Sequence, residues 1–240
     1  MSVSPDRTPR PEYRVDSVER ALSLLEAFDA ERASLSLAEL AEETGLYKST
    51  ILRLAASLIR YGYLRKDADG RYRPGPALWR LGALYRRGHE LDDVIRPTLR
   101  KLVRDTGETA SFYVIDADER LCLYRENAPG RGRHHLDEGM RMSLQSGAAG
   151  HVLSAWALGC TIAKARLRPD GGCLSIGERS PGYWACAVPV IVSGAHCLGA
   201  LAVSGPQNRL HPQTADTALA ALGQAAAMMV TRMQTSARTA

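Results

Sequence analysis

The stretch "GLYKSTILRLAASLIRYGYL", Gly45–Leu64, decides how this chain is read. A glycine opens it, an apolar stripe with basic neighbours follows, and aromatic and apolar residues close it. Ile51, Leu54, Ala55 and Leu58 recur at i, i+3, i+4 and i+7, one face of an amphipathic helix. The other side carries Lys48, Ser49, Arg53, Ser57 and Arg60, with Tyr47 and Thr50 at its start. Either that polar side only meets water, or it touches a partner.

The flanking sequence favours a partner. Upstream, "VDSVERALSLLEAF" (Val15–Phe28) predicts a helix, with Ser17 as N-cap and Val18, Leu22, Leu25 and Phe28 at helical spacing. "SLAELAEETG" predicts a second helix. Ser36 caps it, Glu39 completes a capping box, Leu37, Leu40 and Ala41 face inward, and Gly45 ends it in a left-handed conformation. Downstream, "GYLRKD" and "GRYRPG" are short strands around the turn "DADG", a β-hairpin attached to the third helix. "ALWRLGALYRRGHE" (Ala77–Glu90) reads as a connecting helix, with Leu78, Leu81 and Leu84/Tyr85 on one side.

Charge follows the same boundaries. The 240-residue chain has net charge +5, but residues 1–46 carry 5 basic and 10 acidic side chains, whereas residues 47–90 carry 10 basic and 3 acidic. Residues 91–240 carry 16 and 13. A basic block on a tri-helical unit with a hairpin suits a polyanion. Short hydroxyls reach phosphates or bases, and arginine binds guanine with two hydrogen bonds. Recognition helices place their N-terminal residues nearest the base edges. Tyr47, Lys48, Ser49, Thr50 and Arg53 are therefore the base-proximal candidates, and Arg65, Lys66, Arg71 and Arg73 of the hairpin are candidates for neighbouring phosphates or the minor groove.

The rest of the chain alternates between element types. "DDVIRPTLRKLVRDTG" looks helical, and "TASFYVID" and "RLCLYREN" look like strands around "ADE". "SGAAGHVLSAWAL" suggests a helix, "GYWACAVPVIV" and "HCLGALAVSG" two strands around "SGA", and "TADTALAALGQAAAMMVTRM" a long Ala-rich helix. This order is that of an α+β sensor-type domain. No run of 18 apolar residues appears, and the proline-bearing N-terminus lacks the apolar core of a signal peptide. Five cysteines, an odd number with no C-x-x-C pair, read as reduced thiols in a cytoplasmic protein.

Together these pieces resemble the IclR family of bacterial transcriptional regulators. "RALSLLEAF", "LSLAELAEETGLYKSTILRLAASLIRYGYL" and "GRYRPGPALWRLG" resemble its DNA-binding domain. "LRKLVRDTGETASFYVID" and "GYWACAVPVI…LGALAVSGPQNRL" are similar to the opening and closing of its effector domain. "GMRMSLQSGAAGHVLSAW" resembles its pocket motif G-x-R-x-P-L-H-x-T-A-x-G-K-A. Gly139, Arg141, Leu144, Ala148 and Gly150 match that motif, while Ser143, Gln145, Gly147 and His151 replace its proline, histidine, threonine and lysine. The stretch between Trp156 and Ser175 is shorter than the family's.

The resemblance implies an α+β chain in four parts. These are a disordered lead (1–14), a winged helix-turn-helix (15–75), a linker helix (76–90) and a GAF/profilin-like effector domain (91–240). It implies a repressor, dimeric or tetrameric, that binds a double-stranded DNA operator and a small organic, carboxylate-type effector, with no cofactor and no metal. The effector contacts it implies are Gly147, Ala148 and Ala149 at a helix N-terminus, then Glu178, then Ala185, Cys186, Ala202 and Ser204 along the late strands. A helix N-terminus with free N–H groups would suit an anion. A ligand-independent DNA-binding protein with a degenerate pocket is the alternative. An enzyme is disfavoured, because no HExxH, GxSxG, P-loop or GxGxxG signature is present. His134 and His135 beside Asp137 and Glu138 could meet a metal, but the arginine-rich "GRGRHHLDE" reads as a solvated loop.

Overall fold

A computed structural model describes residues 15–29, 32–87, 92–129, 136–192 and 196–236. The lead 1–14, His89, His134 and His135 lie outside the described residues. The chain divides into two compact units, breaking at Arg86/Arg87.

The first unit opens with α1 (Asp16–Glu26), α2 (Leu37–Thr44) and α3 (Lys48–Arg60). The second helix is bounded by local chemistry. Glu39 N–H donates to Ser36 Oγ at 3.2 Å, and Ser36 N–H donates back to Glu39 Oε2 at 2.6 Å. Gly45 ends the helix at φ 67°, a region that costs a side chain but not glycine. Helix α1 departs from the sequence reading. It begins at Asp16 with Val15 as N-cap, so Ser17 lies inside the helix and caps nothing. Its buried face is Leu24 and Ala27, backed by Leu25 and Phe28, whereas Val18 and Leu22 are about half exposed (53% and 54%).

Strands β1 (Leu64–Lys66) and β2 (Tyr72–Pro74) form the hairpin, with Arg65 opposite Arg73. A further bridge, absent from the sequence reading, joins Leu35 to Tyr72. Tyr72 N–H donates to Leu35 O at 2.7 Å, and Leu35 N–H to Tyr72 O at 3.0 Å. Leu24, Leu35, Leu40, Ile51, Ala55, Leu64 and Tyr72 form one core, so hairpin and helices share a single apolar interior. Helix α4 (Pro76–Arg87) follows, its proline placed where the first-turn N–H has no helical partner.

In the second unit six strands make one antiparallel sheet, in the order β5-β4-β3-β8-β7-β6. They are β3 (Thr109–Asp116), β4 (Glu119–Glu126), β5 (Arg141–Ser143), β6 (Cys173–Ile176), β7 (Tyr183–Val192) and β8 (His196–Pro206). Strands β5 and β6 were not legible in the sequence, and neither was the short helix α7 (Thr161–Lys164). Helices α5 (Asp92–Thr106) and α8 (Pro212–Ser236) contribute Leu99, Leu102, Leu222 and Met229 to a core on one face, with Phe112, Tyr124, Trp184, Cys186 and Val203 from the sheet. On the other face α6 (Ala148–Trp156) packs Val152 and Leu153 against Tyr113, Cys122, Ala187 and Ala200.

One irregularity sets up the site. Phe112 pairs with Tyr124 and Tyr113 with Cys122, leaving Leu123 as an extra residue on β4. The bulge shifts the alternation by one. Arg125 opposite Ser111 and Arg120 opposite Ile115 therefore both project toward the α6 face, although they are five positions apart.

Candidate nucleic-acid interface and effector site

Helix α3 presents its cationic side to solvent. Tyr47 is 85% exposed, Lys48, Ser49 and Arg53 are exposed, Thr50 is half-buried, and Ile51 and Ala55 are buried on the opposite side. The helix contains no acidic residue, and among the described residues no carboxylate forms an ion pair with Lys48 or Arg53. The hairpin cations divide into two groups. Arg65 and Lys66 are exposed; Arg65 stands 3.9 Å from Asp67, and Lys66 lies 5.3 Å from the centre of the Tyr72 ring. Arg71 is engaged internally, donating to Ser34 O (2.8 Å), Ser34 Oγ (3.1 Å) and Glu39 Oε2 (2.9 Å). Arg73 is ion-paired with Asp67. Both cross-links fasten the hairpin, to the segment before α2 and to its own turn. Sequence spacing could not separate them from Arg65 and Lys66, because their partners come from the fold.

The second site is a cavity where the N-terminus of α6 meets the sheet. Seven of the eight expected effector residues line it: Gly147, Ala148, Ala149, Glu178, Ala185, Ala202 and Ser204. Cys186 does not. It is fully buried on the α8 face, its thiol 3.9 Å from Ala215 O, because adjacent residues of β7 point to opposite faces. Burial pushes that thiol up to about 12, which also removes it as a nucleophile.

The leading donors of the helix N-terminus are already occupied. Gly147, at φ 78°, donates its N–H to Glu178 Oε2 at 2.9 Å, and Ala148 donates its N–H to Ser175 Oγ at 2.9 Å. Glu178 thus stands where an anionic ligand was expected, as an internal carboxylate at the positive end of α6. Its Oε2 is also 2.6 Å from Nε2 of buried His151, and Arg166 Nη1 donates to its Oε1 at 3.0 Å. Partial burial raises the Glu178 carboxyl, but the Gly147 N–H, His151 and Arg166 outweigh it and hold the group below the usual carboxylate range.

The opposite wall is cationic. Arg120 is 2% exposed and Arg125 8%. Arg120 Nη1 donates to the carbonyls of Ser143 and Ser146, the latter at 2.6 Å, and Arg125 donates to Asn127 Oδ1 (2.9 Å) and Ser111 Oγ (3.2 Å). Arg179 joins them at the rim. Gly150 makes room for this arrangement. A methyl group there would stand inside contact distance of Arg120 Nη1 and 2.6 Å from Leu144 O. The free volume is about 40 Å³, room for roughly three water molecules. Arg120, Arg125 and Arg179 were not among the residues expected here. Among the described residues no cluster of His, Cys, Asp and Glu could hold a metal, and no helix is long and apolar enough to cross a membrane.

Known proteins match both units. Residues 17–68 match the IclR helix-turn-helix domain, and residues 83–165 match the C-terminal domain of bacterial IclR transcriptional regulators. The chain is 25% identical over 237 residues to the HTH-type transcriptional regulator BhcR of Paracoccus denitrificans, covering 88% of this chain and 83% of that protein. Two crystal structures share the fold. One is an IclR transcriptional regulator from Alicyclobacillus acidocaldarius (TM-score 0.78, 24% identity, 91% of this chain and 99% of that one). The other is an IclR homologue from Microbacterium hydrocarbonoxydans in complex with 4-hydroxybenzoate (TM-score 0.75, 18% identity, 91% and 99%). The two domain matches follow one another along the chain, the first on the tri-helical unit and the second reaching into the six-stranded one: the chain belongs to the IclR family and is a DNA-binding transcriptional regulator with a C-terminal effector-binding domain.

Proposed function

We propose that the protein is a homo-oligomeric repressor that occupies a roughly palindromic operator and releases it on binding a small organic carboxylate. The observation that carries the DNA half is the exposed side of α3, where Lys48 and Arg53 meet no carboxylate of the described residues. Tyr47, Lys48, Ser49, Thr50 and Arg53 read the major groove, and Arg65 and Lys66 hold phosphates. Arg71 and Arg73 fix the hairpin and add charge, reaching a phosphate only by exchanging a partner. Exposed Trp79, Leu84 and Tyr85 on α4 support association of two copies, which a two-fold operator requires. The 4-hydroxybenzoate held by the Microbacterium homologue supports an organic acid as effector here.

A ligand biases a regulator only if it prefers one of two states. Genomic footprinting with the purified protein, followed by operator binding in the presence of small carboxylates and phenolic acids, tests both halves. Sequence-specific protection reversed by one acid class is the expected result; protection no acid reverses removes the effector half. The 40 Å³ of free volume favours the second reading, a ligand-independent DNA-binding protein, and that outcome would establish it.

A further inference from the structure

Four buried side-chain nitrogens lack a hydrogen-bond partner among the described residues: Arg120 Nε, Arg125 Nη2, Trp184 Nε1 and Arg209 Nε. Two of the four, Arg120 Nε and Arg125 Nη2, belong to the cationic wall of the α6 cavity, whereas the Trp184 ring lies on the opposite face of the sheet. Native proteins rarely leave such groups unpaired, and rarely bury a charge without a counter-charge. Both are donors, so the missing partner is an acceptor. Among the described residues the guanidinium groups of Arg120 and Arg125 donate to carbonyls, an amide oxygen and a hydroxyl, and Glu138 meets Arg125 only at its main-chain N–H, at 2.9 Å. The two buried guanidinium groups of this wall, Arg120 and Arg125, carry two positive charges. Glu178 is already committed to Gly147 N–H, His151 and Arg166, on the other wall.

We propose that this cavity takes a compact dianion, held by the Arg120, Arg125 and Arg179 guanidinium groups rather than by the N-terminus of α6. The two leading donors of the helix, Gly147 and Ala148, are taken by Glu178 and Ser175, which moves the anion seat toward the arginine wall. Two negative charges match the two buried guanidinium groups, whereas one leaves a buried cation uncompensated. Guanidinium groups suit carboxylate and phosphate oxygens alike, since both accept paired N–H bonds. The small free volume favours dianions of the size of malonate or phosphate. This rests on the reading that the C-terminal unit senses a ligand, and names the class of ligand for this chain.

The test is calorimetric titration of the full chain with malonate, inorganic phosphate, propionate and acetate at constant ionic strength. Saturable binding of a dianion, at least about ten times tighter than either monoanion, is expected. Arg125→Gln should weaken it about 10- to 100-fold, the loss of one charge-assisted bond. Should that variant fail to fold, Arg179→Gln at the solvent-facing rim serves instead, and is expected to weaken binding several-fold. Malonate ahead of phosphate assigns a dicarboxylate, and the reverse order a phosphate ester. Equal binding of mono- and dianions, or unchanged binding by a folded Arg125→Gln protein, overturns the proposal. If a monocarboxylate then releases the operator, the effector reading survives and only the dianion site falls. If nothing binds, the dianion site falls, and the effector reading falls with it only when no carboxylate or phenolic acid reverses operator protection.

Discussion

Gly150→Ala tests the packing at the heart of the C-terminal cavity, because its sign differs from that of an ordinary helical glycine. Alanine exceeds glycine in helix propensity by about 0.8–1.0 kcal/mol, so a glycine in open space gains from the change. At Gly150 the new methyl would meet Arg120 Nη1 and lie 2.6 Å from Leu144 O. Overpacking of that kind costs about 1–3 kcal/mol. Displacing Arg120 also forfeits a charge-assisted bond to the Ser146 carbonyl, a further 1.5–3 kcal/mol or so. Less the propensity gain, the variant should lose about 1.5–5 kcal/mol. For a domain of this size each kcal/mol lowers the midpoint by roughly 2–4 °C, so the second unit should melt roughly 3–20 °C earlier. Gly223→Ala in α8 is the matched control. Its methyl meets nothing within 4 Å, and the variant should be neutral or gain up to about 1 kcal/mol. Thermal unfolding followed by circular dichroism reads both. A Gly150→Ala protein as stable as the parent would mean that Arg120 does not lie against α6, and the cationic wall described above would go with it.

Other outcomes follow from the same geometry. Arg53→Ala should weaken specific operator binding by about 1–3 kcal/mol with no change in melting temperature; unaltered affinity in an anisotropy titration removes Arg53 from the reading face. Glu178 has its folded value held below that of the unfolded chain, which is about 4.3. Its stabilisation is therefore complete above that pH and is lost as pH falls through the lower folded value. The stability gap between the parent and Glu178→Gln should shrink between pH 6 and pH 3, and a gap constant over that range contradicts the assignment. Burial pushes Cys122 and Cys186 up to about 12 and raises Cys173 to about 11, so none should react with a thiol reagent in native protein at pH 8. Fast labelling should map to half-buried Cys160, and rapid modification of Cys122 would show that the α6 face is open.

The first unit was legible in sequence because its signals are local. Ser36 with Glu39 and Gly45 announce a helix and its end within ten residues, and "DADG" announces a hairpin. The exceptions involve partners far along the chain. Val18 and Leu22 have the right period yet face outward, and Arg71 is tied to Ser34 and Glu39 by folding rather than by spacing. In the second unit the strands of three and four residues, β5 and β6, are too short to show alternation and exist because β4 and β7 template them. Seven of the eight residues implied by the resemblance line the cavity. Cys186 does not, because Ala185 and Cys186 are neighbours on one strand and cannot both face it. Arg120 and Arg125 were missed for the converse reason, since strict alternation sets residues five apart on opposite faces. Only the extra residue at Leu123 reverses that, and nothing in "RLCLYREN" marks it.

The bridge between Leu35 and Tyr72 has a consequence for signalling. It makes the hairpin a continuation of the segment that leads into α2, so that α2, α3 and hairpin are laced together by main chain at two points rather than one. A unit fastened in this way resists bending between its reading helix and its flanking ribbon. A message arriving from elsewhere in the molecule would have to carry the whole reading head onto or off the double helix, and the stretch of chain that bears it is where altered induction with intact operator affinity should be sought.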